Sequence, residues 1–242
     1  MNATRTFAAS TLRKIRREIA ADSILFGEQL LAETDLNETA GFSDLFMAAR
    51  GDGADNPEHY HLGLEYIFEG FLLHYGRNRL LKPDENNFYL LAGDYMYARG
   101  LSAIAGLEDL VCVRELAELI RLCSSIHGEN RDPALALSAW AVTTLRLAAQ
   151  SCGCGITLPD SSGLSEIIWG GTPETRGFSK ITLDDSGSNS NSTGETIKAG
   201  NDRDASKLDA VFEKCLAFFP EEKRAGLRQI CSDINANFLT EA

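Results

Sequence analysis

Leu62-Gly63-Leu64-Glu65-Tyr66-Ile67-Phe68-Glu69-Gly70-Phe71-Leu72-Leu73 decides the fold. Within the longer stretch from His59 to Tyr75, Leu62, Leu64, Tyr66, Ile67, Phe68, Phe71, Leu72 and Leu73 point in nearly every direction around a helical axis, and no clean period of two runs through them. A helix that is apolar all round has to be wrapped by others. The stretch therefore predicts the central helix of an all-α bundle.

The flanks supply the wrapping. Leu12, Ile15, Ile19, Phe26 and Leu30 recur at helical steps, with Arg13, Lys14, Arg16 and Arg17 mostly on other faces, which predicts an amphipathic opening helix. A short helix around Phe42 to Ala49 is followed by the turn formers Gly51 to Pro57. Beyond the central helix, Asp84 is the expected N-cap of a helix reaching Ala105, with Gly106 as its stop. Glu108 to His127 reads as the next, ending at Gly128. Asp132-Pro133 then starts a helix running to about Cys152. From 159 to 205 the chain turns rich in Gly, Ser, Asn, Asp and Thr, the composition of a flexible insert within a single helical domain spanning 1–242, although Leu164 to Trp169 are apolar enough to dock. Ser206 and Asp209 resemble a capping box opening two last helices split by Pro220. The count comes to seven or eight helices and no sheet.

A net charge of −12 repels phosphate backbones and anionic lipid, so the composition argues against nucleic-acid binding and peripheral membrane association. No apolar run approaches the roughly 18 residues of a spanning helix, and the basic N-terminal stretch lacks a signal-peptide core, so a cytoplasmic location is expected. The six cysteines, at 112, 123, 152, 154, 215 and 231, contain no Cys-x-x-Cys pair and read as small buried thiols. Cys152-Gly-Cys154 could supply two metal ligands, but histidines at 59, 61, 74 and 127 give no matching spacing. Trp140 and Trp169 have no basic or aromatic companions of the kind that stack bases and read as ordinary burial. No nucleophile–base pair is visible.

Leu90-Leu91-Ala92-Gly93-Asp94-Tyr95-Met96-Tyr97-Ala98-Arg99-Gly100 resembles the "LAGDYLLARA" helix of the trans-isoprenyl diphosphate synthases. In the same order as in that family, Leu64 to His74 resembles the helix leading into the first aspartate-rich motif, and Ala117 to Glu129 a helix ending in Gly-Glu. Thr143 to Gly155 resembles the "TAxLxAAACxxGA" helix through Thr144, Leu145, Ala148, Ala149, Cys152 and Gly153, and Leu208 to Asn237 the closing helix pair. The resemblance covers most of the chain except its first forty residues and the insert. It implies a helical bundle of the isoprenoid synthase type.

Members of that family ionise an allylic diphosphate with Mg²⁺ held between two Asp-rich motifs, since hard cations need clustered oxygen ligands. Where the first motif belongs, this chain reads Tyr75-Gly76-Arg77-Asn78-Arg79, without a carboxylate. At the second stands the Gly/Ser-rich segment, with only Asp184-Asp185. The loop that binds isopentenyl diphosphate through Lys and Arg would align near Asp52 to Pro57, where Asp52 and Asp55 reject an anion. Three parts of one mechanism are missing, and electrostatic stabilisation of the leaving group is the main source of rate acceleration in such an enzyme.

The resemblance thus implies a non-catalytic subunit of a heteromeric synthase. It would have no catalytic residue, no metal site and no cofactor of its own. Its partner would be an Asp-motif synthase carrying the Mg²⁺, as a heterodimer, with homodimers when alone. Phe88, Gly93, Asp94, Tyr95 and Tyr97 would serve structure and interface, or simply fill the chain's own core. Phe68, Phe71, Leu72 and Tyr75 would line a residual prenyl pocket, with Arg77 and Arg79 facing a bare diphosphate. That arrangement also suits an isoprenoid-binding pseudoenzyme. A further alternative is a prenyltransferase with a non-standard metal site drawn from Glu65, Glu69, Asp94 and Glu118, since Glu65 and Glu69 share a helix face.

Overall fold

A computed structural model of the chain describes residues 2–22, 27–36, 39–51, 56–82, 88–151, 161–169 and 193–239. Among these are nine α-helices: α1 (Asn2–Asp22), α2 (Phe42–Arg50), α3 (Pro57–His74), α4 (Phe88–Ala105), α5 (Leu110–Gly128), α6 (Pro133–Ser151), α7 (Ser161–Trp169), α8 (Thr193–Leu216) and α9 (Glu221–Leu239). The only strand-like pairing among the described residues is an isolated antiparallel bridge between Leu30 and Leu81. The fold is an all-α bundle, as the sequence predicts, with nine helices among the described residues where seven or eight are expected.

α3 is its axis. Pro57 stands in the first turn, where the missing N–H costs nothing, and every residue from Tyr60 to Leu73 is buried. Leu64, Ile67, Phe68, Phe71 and Leu72 enter a large core shared with α2 and α5 to α9, while Leu62, Tyr66 and Leu73 enter a second one with α1 and α4. The helix ends in a Schellman turn: Arg77 N–H donates to Leu72 C=O at 2.8 Å and Gly76 N–H to Leu73 C=O at 3.0 Å. Gly76 there adopts φ +70°, which glycine enters without a Cβ penalty.

α4 packs antiparallel to α3 at very short range, because glycines face each other on both helices. A Cβ on Gly70 would lie 2.9 Å from the Gly93 carbonyl oxygen, and one on Gly100 would lie 2.6 Å from that of Gly63. Gly93, expected to serve structure or interface, and Gly100 are therefore used inside the chain.

Four sequence expectations change. α1 stops at Asp22; Phe26 lies outside the described residues, and Leu30 reaches the second core from an extended segment hydrogen-bonded to the 80–82 strand-like stretch. Leu164 to Trp169 belong to a helix, α7, which buries Leu164 and Ile168. α8 begins at Thr193, so Ser206 is an interior residue of that helix instead of its cap. Residues 161–169 and 193–205 of the expected insert are thus helical, while Asp184, Asp185, Cys152 and Cys154 lie outside the described residues, as do Asp52, Asp55 and Asp84. Cys112, Cys123, Cys215 and Cys231 are buried free thiols, as expected from the lack of a Cys-x-x-Cys pair. No helix is long and apolar enough to cross a membrane among the described residues.

Candidate functional site

Among the described residues, the largest group of buried charged side chains centres on α3. Glu65 and Glu69, one turn apart, are both fully buried, and the guanidinium of Arg79 lies between them. Arg79 Nε donates to Glu69 and its Nη2 to Glu65, while Nη1 donates to the Thr39 carbonyl at 2.8 Å. Its backbone N–H reaches the second Glu69 oxygen at 3.3 Å, and its plane lies 5.2 Å over the Phe68 ring. An arginine can be buried here because its planar fork meets two carboxylates and a carbonyl at its edge and an aromatic face below. The turn at Gly76 makes this possible by folding residues 77–82 back over the helix that has just ended.

The network continues into α2. Ser43 donates its hydroxyl to Glu65 and lies 3.3 Å from His61 Nε2, which also contacts Asp44 Oδ1 at 3.2 Å. Asp44 accepts from the Gly41 N–H at 2.9 Å, the N-terminal cap of α2. A Cβ on Gly41 would meet a Glu65 oxygen at 2.6 Å, so any larger residue there would have to displace that carboxylate. Serine, histidine and aspartate thus meet, but both contacts use one imidazole nitrogen and all three groups are buried. This is not the relay of a hydrolase, in which the two ring nitrogens serve different partners.

Burial pushes the Asp44 carboxyl up, against the hydrogen bond and charge of His61, and the charge of Glu65 adds to the rise. Burial likewise pushes Glu69 up, against the attraction of Arg79. Both groups therefore bind protons more tightly folded than unfolded. Their contribution to stability is full below the ordinary carboxylate value of about 4 and is lost as pH rises through their higher folded values. In urea unfolding followed from about pH 5 to about pH 8, we expect Asp44→Asn and Glu69→Gln each to lose less stability than the wild type across that interval. Parallel profiles would show that neither group is perturbed.

Of the six expected ligand residues, Phe68, Leu72, Arg77 and Arg79 line one cavity, which Ile234 and Phe238 of α9 close. Its volume is about 40 Å³, room for a few water molecules and far too little for a prenyl chain. Phe238 fills the space beside it, stacked on Phe71 at 5.6 Å, edge-on to Tyr75 at 6.0 Å and under the Arg77 guanidinium at 4.8 Å. Tyr75 turns away to donate to the Cys123 carbonyl at 3.1 Å. Arg79 is committed to Glu65 and Glu69, so the expected role facing a diphosphate does not fit its position.

The expected interface residues divide. Gly93 is buried against α3, and Tyr97 packs on the large core with its ring stacked on His74 at 5.0 Å. Phe88 and Tyr95 pack against the second core, and Asp94 is exposed, 3.2 Å from His74. What α4 turns outward is a narrower stripe of Leu91, Asp94, Ala98, Ser102 and Ala105 with Leu90 at its side, and Leu90 and Leu91 are each 55% exposed. The four acids of the non-standard metal site are not brought together: Glu65 and Glu69 share Arg79, Asp94 is at the surface and Glu118 pairs with Arg121 at 2.8 Å. Among the described residues no group of three or more His, Cys, Asp or Glu is arranged to hold a metal ion.

Sequence reasoning misses the link from Glu65 and Glu69 to Arg79 and the part played by Ser43, Asp44 and His61. A signal is present. Two glutamates on a helix that is apolar all round must be neutralised by a nearby cation, and Arg77 and Arg79 are the next in the chain. Compared with family models, with curated proteins and with solved structures, the chain finds no match.

Proposed function

We propose that this chain is a non-catalytic subunit of a heteromeric prenyl diphosphate synthase, assembling with an Asp-motif subunit that carries the Mg²⁺ and helping to set product length. The reading rests on the resemblance of its helices to that family, and the observation that carries it is Arg79. The guanidinium occupies the position between the acids of α3, so the carboxylates nearest the place of the missing motif spend their oxygens on Arg79 and Ser43 and present none to a cation. The outward stripe of α4, with small residues at Ala98, Ser102 and Ala105 beside Leu90 and Leu91, suits helix-on-helix docking.

The test is prenyl transfer from labelled isopentenyl diphosphate to an allylic primer with Mg²⁺. It is run with this chain alone, with the Asp-motif synthase of the same organism, and with both. The expected result is no product from the chain alone and a changed rate or product length in the mixture, with Ala98→Glu removing the change. Transfer by the chain alone, or a mixture indistinguishable from the synthase, would overturn the reading.

A further inference from the structure

At the other end of α3 lies a cavity of about 360 Å³, bounded by Phe46 of α2, Tyr60 of α3, Asp109 and Val111 at the start of α5, and Leu147 and Gln150 of α6. It is more than twice the roughly 150 Å³ that suffices for benzene and falls in the range of small-molecule sites. The Tyr60 hydroxyl donates to Asp109 Oδ2 at 2.7 Å, and burial and that carboxylate hold the phenol protonated. Asp109 Oδ1 accepts from the Cys112 N–H at 2.9 Å, capping α5, so both of its oxygens are committed. The Arg50 guanidinium lies 4.7 Å over the Tyr60 ring and 5.7 Å from the Phe46 ring, backing the aromatic wall. Val111 is 49% exposed, which places the mouth of the cavity at the first turn of α5.

One polar atom of this wall is unsatisfied. Gln150 Oε1 is buried and accepts no hydrogen bond. A buried acceptor left in that state costs free energy that a ligand donor would recover.

We infer that this cavity is a binding site for an uncharged, flat, apolar molecule of about bicyclic size carrying one N–H or O–H donor, which Gln150 accepts. The site is independent of prenyl transfer and stands or falls apart from it. The opposed charges of Asp109 and Arg50 favour an uncharged ligand, aliphatic and aromatic carbon is taken by Phe46, Val111 and Leu147, and the donor is selected by Gln150.

The probes are indole and benzofuran, which share shape and differ in the N–H donor. Each is titrated into the full chain while amide resonances are followed by NMR. Indole is expected to saturate a single site with shifts centred on the first turn of α5 and the last turn of α6, and benzofuran to bind about fivefold more weakly, the worth of one hydrogen bond. Gln150→Leu should erase that difference. Val111→Trp, at an exposed position, should block the mouth and abolish both titrations while leaving the melting temperature unchanged. Equal affinities in the wild type, binding that survives Val111→Trp, or no saturable binding at millimolar probe would each overturn the assignment.

Discussion

Replacing Arg79 by methionine should cost about 3 to 5 kcal/mol, because it leaves two carboxylates buried with no cation. Glu65 and Glu69 are fully buried and Arg79 is, among the described residues, the one cation bonded to both, so solvent cannot take over its role. Adding Glu65→Gln and Glu69→Gln to Arg79→Met should restore most of the loss, since the charges that needed neutralising are then gone. Urea unfolding of the single and triple variants measures both. A single variant less than about 1 kcal/mol below the wild type would place the glutamates in a wet, exposed environment and remove the argument that they are unavailable to a metal.

Trp140→Ala should be as damaging, at about 3 to 5 kcal/mol, through the cavity it opens. The indole stacks on Phe42 at 5.4 Å and meets the rings of Phe68 at 5.6 Å and Phe71 at 5.9 Å, joining α2, α3 and α6 in one aromatic cluster. Its Nε1 is buried without an acceptor. Trp140→Phe keeps most of the ring packing and removes that unpaired donor, so it should cost less than half as much as the alanine variant. Equal losses in chemical unfolding would mean that a phenyl ring recovers none of the packing and that the cluster requires the indole itself.

The parts of the fold that rest on periodicity and caps are legible in the sequence. α3 is apolar in every direction, Pro57 and Asp132-Pro133 mark helix starts, and Pro220 separates the last two helices. At the end of α5 the signal is close to the outcome: Gly128 is the final helical residue, but the left-handed turn belongs to Asn130, at φ 51°. Leu30 misleads because its spacing from Ile19 continues a helical period, whereas its burial depends on pairing with Leu81, far along the chain. α7 is legible only as a docking segment, since nine residues bounded by glycine and serine carry too little pattern to announce a helix. The ion network is the least legible. It depends on a reversal at Gly76 that carries Arg79 back over α3, and local pattern does not encode where a returning loop will lay its side chains.

The glycines between α3 and α4 also act as a ruler. Gly63 and Gly70 are seven residues apart, as are Gly93 and Gly100, and each pair of facing glycines brings main chain against main chain. Sliding α4 along α3 by one turn would bring the Gly63 carbonyl against Met96 or Ile104 in place of Gly100, and a side chain would stand where only a hydrogen fits. Only in the observed register do both glycine pairs face each other at once. That register in turn fixes the height at which Ala92 and Met96 meet α1, so the smallest residues of the pair set the alignment of the bulkier ones around them.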